Sequence, residues 1–513
     1  MQIFSSTFGR RSLLLGGAAM ATAAAGCSID TGTPSAKPTA AGSEAAAEFV
    51  FDTTGVKLPT DKVAFRWLDS GDLKAKYLDP VIASFGEQHS NVTVTYDGAG
   101  WDQVNQVVPL GIRNGSAPDV FALPQNVPPQ TAIAEGWVQP LDSVIPNFDK
   151  WRAAFPDTAL IPGIHVFDGK VYSWPLNSTR RLEKMLFTST DLADKAGVDP
   201  DAIKTWDDFR DAAKKLTGAG KPGYLVTGDH LWVVAMYLAN TAGWRGVMTD
   251  GLDMRTGKYS FASDEFISAV EFLKSLVADG SVVPGYLTLK DADARAQFPA
   301  GIAGSMFNGP WDLRAWKEKS PDFNFTLNPL PSPDGKPYHI PFAERGANQT
   351  WLYAKTPIPE VAGVILNYLG SVEGQTKMVE LTQGTLVSMI PEANESVDHA
   401  LLDPNAKKAA ELARELMRAA PQLELRTADA GKIKMELKPV EPGLQNVMQG
   451  IMSGQLPDAK KALAELDGKL QAALEGAFTA AKAAGADADF QQTVFPNWDP
   501  SKEYTQADYD ALG

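Results

Sequence analysis

The chain has 513 residues, a formal net charge of −15 at pH 7 and 44% hydrophobic residues. This acidic balance argues against binding to nucleic acid and against electrostatic adhesion to anionic lipid, because both select basic surfaces. A chain of this length is too large for one hydrophobic core, so we expect at least two domains.

The N-terminus has the features of an export signal. Arg10 and Arg11 precede an apolar run that ends at Gly26-Cys27, and Cys27 is the only cysteine in the sequence. This pattern resembles a twin-arginine signal followed by a lipoprotein cleavage site. The alternative is a transmembrane anchor, but the run is shorter than the roughly 20 apolar residues that span a bilayer. We predict a signal peptide at 1–26 and lipidation of Cys27, which would anchor the protein to the outer face of the bacterial cytoplasmic membrane.

Residues 27–60 are rich in Ser, Thr, Ala, Gly and Pro. Such a composition buries too little apolar surface to offset chain entropy, so we predict a flexible tether. A lipidated Cys27 leaves no thiol in the mature chain, and burial rather than disulfides must then stabilise the fold.

Strands and helices alternate after the tether. Apolar periodicity and β-branched residues predict strands at 63–68, 92–96 and 119–123, with helices at 78–89 and 104–114. This order is typical of an open α/β sheet with helices on both faces, where ligands bind beyond the carboxyl ends of the strands.

A second series of helices suggests another unit. The predicted helices cover 207–216, 231–241, 263–279, 403–419 and 457–484. Ser263 is expected to cap the third of these, whose buried stripe begins with Phe266 and Val270.

Five segments together resemble family 1 of the extracellular solute-binding proteins of carbohydrate ABC transporters. They are 119–123, 134–142, 171–176, 205–209 and 301–311. The last reads Gly-Ile-Ala-Gly-Ser-Met-Phe-Asn-Gly-Pro-Trp and is similar to the Gly-Lys-Ala-Ala-Met-Phe-Asn-Gly-Pro-Trp motif of maltose-binding-like proteins. The resemblance covers most of residues 61–400 and is weak beyond about residue 420.

This resemblance implies a two-lobed periplasmic-binding-protein fold of type II-like organisation, with α/β lobes on either side of a ligand cleft. Lobe 1 is expected at 61–175 plus 345–400, and lobe 2 at 176–344 plus 401–513. The implied function is to capture a carbohydrate, by expectation a neutral oligosaccharide, and to deliver it to the permease of an ABC importer. No catalysis, cofactor or metal is implied, and a monomer is expected.

The site is expected to combine aromatic surfaces for sugar rings with polar groups for their hydroxyls. Trp311 follows Gly309-Pro310 and is the main candidate for stacking on a pyranose, with an ordinary core tryptophan as the alternative. Trp67, Asp69 and Ser70 end the first strand. The remaining candidates are loop or crossing residues near the expected cleft: Gln125, Asn126, Ser178, Thr179, His230, Trp232, Asn348 and Gln349.

Arg180 and Arg181 leave a further possibility open. They could bind an anionic ligand through bidentate pairing, or they could point to opposite faces, with one solvated and one salt-bridged, for example to Glu183. The first alternative function is therefore binding of an anionic sugar or a glycerophosphodiester. A separate alternative is glycoside hydrolysis, which needs two carboxylates about 5 to 9 Å apart. Residues 495–504 are predicted to form a strap on lobe 2, anchored by Trp498.

Overall fold

A computed structural model describes residues 49–71, 73–156, 159–248, 251–343 and 349–512. The predicted signal peptide, Cys27 and Asn348 lie outside the described residues. Within these ranges, no helix combines the length and apolar character needed to cross a membrane.

The strands of the described residues are short and lie throughout the chain. They are β1 (Val63–Ser70), β2 (Val92–Ala99), β3 (Val120–Ala122), β4 (Val166–Phe167), β5 (Lys170–Val171), β6 (Ser173–Trp174), β7 (Met185–Ser189), β8 (Tyr224–Leu225), β9 (Leu252–Asp253), β10 (Lys258–Tyr259), β11 (Ser305–Asn308), β12 (Phe325–Asn328), β13 (Ile340–Phe342), β14 (Thr350–Leu352) and β15 (Met417–Ala419).

Helices fill most of the sequence between the strands and after them. They are α1 (Ala75–Gln88), α2 (Trp101–Asn114), α3 (Pro129–Ala134), α4 (Phe148–Ala153), α5 (Thr190–Ala196), α6 (Trp206–Gly218), α7 (Leu231–Thr241), α8 (Asp264–Ala278), α9 (Asp291–Gln297), α10 (Leu313–Lys319), α11 (Pro359–Leu369), α12 (Val372–Leu381), α13 (Pro391–Glu395), α14 (Pro404–Leu416), α15 (Leu423–Arg426), α16 (Ala430–Glu436), α17 (Leu444–Met452), α18 (Ala459–Ala483) and α19 (Gln506–Asp510).

The first sheet has the strand order β2-β1-β3-β14-β6. β1 runs parallel to β2 and β3, whereas β14 is antiparallel to β3 and β6. Along β1, Phe65 and Trp67 are buried and Arg66 between them is exposed, because successive side chains point to opposite faces. Phe65 and Trp67 pack with residues of α1, while Leu68 packs with Val104 of α2. Helices therefore cover both faces of this sheet.

The second sheet has the order β12-β7-β11-β8. β7 is antiparallel to β12 and β11, and β8 is parallel to β11. The predicted helices beside this sheet are confirmed as α6, α7 and α8. A capping box starts α6, in which Thr205 Oγ1 accepts from Asp208 N at 3.0 Å and the Asp208 carboxylate accepts from Thr205 N at 2.8 Å. The Ser263 side chain caps α8 as expected.

The chain leaves the first sheet after β6, builds the second sheet, and returns to the first with β14. Ser178, on the outgoing crossing, donates its backbone N–H to Val387 O at 2.7 Å. Helices α1 and α10 also approach each other across the two sheets, where Lys76 Nζ lies 2.7 Å from Glu318 Oε2. The exact lobe boundaries stay a prediction.

The predicted tether is too long at its C-terminal end. Phe49 and Phe51 are 4% and 8% exposed, so residues 49–60 belong to the folded region and not to a free linker. Phe51 contacts Phe85 edge to face at 5.1 Å, and Phe49 contacts Tyr368 at 5.8 Å. Burial of Phe49 and Phe51 offsets the entropy lost when this segment becomes ordered. The polar composition of the surrounding residues had suggested that this entropy loss would keep the segment unfolded.

The C-terminal region forms a third apolar cluster. Phe495, Trp498 and Tyr504 pack with residues of α18, and Trp498 is 2% exposed. The predicted helix at 403–419 ends earlier, at Leu416, because residues Met417–Ala419 form β15 and pair with β13. Phe495 also donates its backbone N–H to Met254 O at 2.7 Å, so the segment 495–504 packs against residues of the predicted second lobe, as the strap prediction requires. A separate helix of this region, α16, packs against α3.

Candidate ligand-binding site

Trp311 lies directly after the buried strand β11, in a short 3-10 helix at Pro310–Asp312. Its side chain is partly exposed, as a ligand-contacting aromatic residue must be. The indole rests on the backbone of Gly309: a Cβ atom at that position would lie only 2.2 Å from Trp311 Cζ3. The absence of a side chain at Gly309 thus allows this placement of the ring.

Three cations surround the Trp311 ring. The guanidinium carbon of Arg181 lies 5.6 Å from the ring centroid, and Lys184 Nζ and the guanidinium carbon of Arg295 each lie 5.9 Å from it. Cations within about 6 Å of an indole face are attracted by its negative quadrupole. Trp311 is therefore the centre of a charged cluster as well as a candidate sugar platform.

Arg295 is fully engaged by carboxylates. Its Nε donates to Asp291 Oδ2 at 2.7 Å, and its Nη1 donates to both oxygens of Asp312 at 2.6 and 2.7 Å. Burial lowers the pKa of Arg295, but these two carboxylates outweigh it and raise the pKa overall. Arg295 is thereby fixed beside the indole.

Asp291 is shared among several partners. Its Oδ1 lies 3.1 Å from His230 Nδ1 and accepts from Asn308 Nδ2 at 3.0 Å. Burial would raise its pKa, yet His230 together with Lys184 and Arg295 holds the pKa well below its ordinary value. Asp291 is therefore a permanently ionised acceptor and not a proton donor.

Arg181 and Lys184 differ from Arg295 in having no close acid. Within the described residues, no hydrogen bond or ion pair joins either side-chain cation to a carboxylate, although Lys184 is only 2% exposed. Burial lowers the pKa of both groups. Asp291 partly offsets this effect on the pKa of Lys184, and Glu183 partly offsets it for both cations.

The first lobe contributes a buried ion pair next to this cluster. Lys74 Nζ lies 2.6 Å from Asp69 Oδ1, and both side chains are less than a tenth exposed. Burial lowers the pKa of Lys74, Asp69 raises it, and Arg181 lowers it again through repulsion. Asp69 also accepts from the backbone N–H of Ser70 at 2.6 Å. Arg181 of the second lobe therefore interacts electrostatically with Lys74 of the first.

A small cavity lies beside Lys184 in the second lobe. Its polar lining includes Thr227, His230, Asp291 and Asn308. Two buried oxygens nearby, Thr227 Oγ1 and Asp229 Oδ1, have no hydrogen-bond partner among the described residues. Buried polar groups are usually paired, so these oxygens are available to ligand hydroxyls or ordered water.

Some sequence-predicted candidates occupy other environments. Trp67 is 1% exposed and contacts Tyr96 edge to face at 6.4 Å, which corrects its expected position facing the ligand. The reason is that the alternation of β1 directs it into the core under α1. Gln349 is also 1% exposed and forms a hydrogen bond with the buried His165. Burial lowers the pKa of His165 to about 3.

The other candidates remain accessible to different degrees. Gln125 and Asn126 are exposed in the turn after β3, and Ser178 and Thr179 are partly exposed on the crossing. Trp232 is partly buried and donates its Nε1–H to Asp229 O at 3.1 Å. Of the predicted residues, the structure brings Asp69, His230 and Trp311 to the charged cluster.

The sequence reasoning missed Lys74, Lys184, Asp291, Arg295 and Asp312. One signal was present at Lys184, a charge immediately before the apolar strand β7. Another was the spacing of Asp291 and Arg295, which lie four residues apart on one face of α9 and form an ion pair.

The family model for bacterial extracellular solute-binding proteins matches residues 70–376, more than half of the chain. The chain belongs to this family.

The arabinooligosaccharide-binding protein of Bacillus subtilis (strain 168) is 24% identical over 311 residues, which cover 60% of this chain and 65% of that protein. The sn-glycerol-3-phosphate-binding periplasmic protein UgpB of Escherichia coli (strain K12) is 25% identical over 229 residues, 42% of this chain and 49% of that protein. The chain thus spans about half to two thirds of the length of these curated relatives.

Solved structures confirm the two-lobed α/β fold. The GacH receptor of Streptomyces glaucescens, solved unliganded and with acarbose, has a TM-score of 0.60 and 18% identity; the match covers 80% of this chain and 98% of that one. An ABC transporter solute-binding protein of Thermotoga lettingae bound with alpha-D-tagatose has a TM-score of 0.61 and 21% identity, with coverage of 81% and 100%. At these identities the likeness establishes the fold alone.

Proposed function

We propose that this protein is a lipid-anchored extracytoplasmic solute-binding protein that captures a carbohydrate between its lobes and delivers it to an ABC importer. Membership of the solute-binding family supports the binding role. The observation that carries the proposal is the placement of Trp311, a partly exposed indole in the second lobe, beside Arg181, which interacts electrostatically with Lys74 of the first lobe. The site has the aromatic surface and charged hydrogen-bonding groups that sugar recognition requires, each such bond contributing about 1.5–3 kcal/mol.

The proposed lobes are residues 61–175 with 345–400 and residues 176–344 with 401–513. A ligand that touches both would stabilise the closed arrangement by its differential affinity for that state. The permease partner could then distinguish the loaded from the empty protein by shape.

We propose that the ligand is bound without being chemically changed. A glycoside hydrolase needs a general acid with a raised pKa beside a second free carboxylate. Near Trp311, Asp291 has a lowered pKa, and both Asp291 and Asp312 are held by Arg295. This arrangement suits fixed hydrogen-bond acceptors.

Equilibrium binding to a panel of neutral and anionic glycans, with hydrolysis followed in the same samples, tests this function. Saturable binding with no product formation is the expected result. Product formation would show an enzyme, and failure to bind any carbohydrate would exclude the proposed ligand class.

The anchor is tested separately. Cys27→Ser should leave the protein exported but move it from the membrane fraction to the soluble fraction, because the variant cannot accept a thioether-linked lipid. Retention of this variant at the membrane, with an unchanged signal sequence, would contradict the lipoprotein assignment.

A further inference from the structure

Three cations surround Trp311, and a fourth, Lys74, is repelled by one of them, Arg181; two of these four cations have close acid partners. Lys74 is paired with Asp69, and Arg295 is paired with two aspartates. Arg181 and Lys184 face the same indole without a hydrogen bond or ion pair to any carboxylate of the described residues. Among the described residues, carboxylates therefore act on these two cations only at longer range.

Burial disfavours the charged form of these two cations. Lys184 is 2% exposed, and burial lowers its pKa even though Asp291, Glu183 and Asp229 act in the opposite direction. Like charges add to this cost, since Lys74 acts against Arg181 and Arg295 acts against Lys184. An anion placed between these groups would relieve both the lost hydration and the repulsion.

Three of the nearby carboxylates of the described residues are already engaged by other cations. Asp312 and Asp291 already accept hydrogen bonds from Arg295, and Asp69 accepts from Lys74. Asp291, Glu183 and Asp229 act on Lys184 without a close ion pair. A neutral sugar hydroxyl could accept one hydrogen bond but would leave both charges unmatched.

We infer that Arg181 and Lys184 form a subsite for an anionic group, a carboxylate or a phosphate, carried by the sugar that contacts Trp311. This inference rests on the proposed carbohydrate-binding function and narrows its ligand class from carbohydrates in general to acidic sugars. Arg181 provides a planar fork suited to two oxygens, and Lys184 provides a point charge. Lys74 lies on the first lobe. An anion bound near Arg181 would therefore also attract Lys74 from across the cleft.

The first experiment uses inorganic phosphate as the probe and thermal unfolding as the measurement. Phosphate should raise the Tm of the wild-type protein more than that of the variant carrying Arg181→Gln and Lys184→Gln, at equal ionic strength. The matched control is Lys195→Gln, which removes an exposed charge on α5 and should behave like the wild type. Equal phosphate-induced shifts in all three proteins would overturn the subsite, whichever sugar the protein binds.

The second experiment measures affinity for matched sugars. Trigalacturonate is compared with its methyl ester, and glucose 6-phosphate with glucose, while sn-glycerol 3-phosphate serves as a non-sugar anion. The charged member of at least one sugar pair should bind at least about tenfold more tightly, with an affinity that falls as salt rises. The double variant should lose this preference, so that it binds the charged and the neutral member of each pair with similar affinity.

The outcomes separate the two proposals. Stronger binding of the neutral members would overturn the anionic subsite and leave carbohydrate binding intact. Binding of sn-glycerol 3-phosphate alone, lost in the double variant, would support the subsite and overturn the sugar ligand.

If the double variant does not fold, Arg181→Lys provides the test. This variant keeps the positive charge and should weaken carboxylate binding, because it loses the bidentate contact. Unchanged trigalacturonate affinity and salt dependence in Arg181→Lys would then count against the subsite.

Discussion

Arg180 and Glu503 form an ion pair that joins the outgoing crossing to the C-terminal segment. Arg180 Nη2 also donates to Met417 O at 2.5 Å, and Glu503 Oε2 accepts from Ala419 N at 2.7 Å. The neighbouring Arg181 instead faces Trp311. Adjacent arginines therefore have separate roles, one in holding the chain together and one in the candidate site.

This division predicts that substitution of Arg180 affects stability and that substitution of Arg181 affects ligand affinity. Arg180→Gln should lower the free energy of unfolding by no more than about 1 kcal/mol, because the pair is partly exposed and screened by solvent. Glycan affinity should not change. Arg181→Gln should reduce affinity for an acidic glycan with little effect on stability. Chemical denaturation and calorimetric titration of both variants measure this, and matching losses of affinity would contradict the separation.

Trp311→Ala should weaken glycan binding by at least about tenfold, because it removes the aromatic contact surface and with it roughly 1.4 kcal/mol of binding free energy. Its Tm should fall only slightly, since the indole is partly exposed. Trp498→Ala is the matched control, because Trp498 is 2% exposed in the C-terminal cluster. That variant should lose about 3–5 kcal/mol of stability and keep its affinity. A large fall in Tm with unchanged affinity for Trp311→Ala would identify Trp311 as a core residue.

His165 predicts a component of acid sensitivity. Burial lowers its pKa from 6.5 to about 3, so the unfolded chain binds a proton more readily than the folded one. The resulting stabilisation is fully present above about pH 6.5 and is lost as the pH falls towards 3. His165→Gln should therefore reduce the slope of unfolding free energy against pH in this window, where one such group contributes up to about 1.4 kcal/mol per pH unit.

Urea unfolding across this pH range measures the effect, and the exposed His399 provides the control through His399→Gln. A pH profile for His165→Gln that is parallel to those of the wild type and the control would show that His165 is protonated equally in both states.

Ligand binding should make the protein more compact. The outgoing crossing near 174–179 and the return near 342–349 are the proposed hinges, and a sugar touching both lobes favours closure. Small-angle scattering with increasing concentrations of a bound glycan should show a radius of gyration that decreases in proportion to saturation. The same radius in the empty and saturated protein would indicate a rigid protein and contradict the transport role.

The sequence by itself predicted the elements whose causes are local. The strand β1, the helices α6 to α8, the Ser263 cap and the Phe266–Val270 stripe of α8 depend on a few neighbouring residues, and the structure confirms them. The motif at 301–311 likewise identified Trp311, because Gly309-Pro310 restricts the turn that precedes it. The family and the two-lobed fold followed from the resemblance of five short segments to solute-binding proteins.

Tertiary structure alone decided which side chains meet. Trp67 and Trp311 both lie at or just beyond strands, yet sheet packing under α1 buries the first, and the bare Gly309 backbone leaves the second partly exposed. The charged cluster joins Lys74, Arg181, Lys184 and Arg295, which are distant in the chain and come from both lobes. Charge interactions depend on spatial separation and burial, and no local pattern encodes either, so the cluster emerges only when the two sheets are assembled.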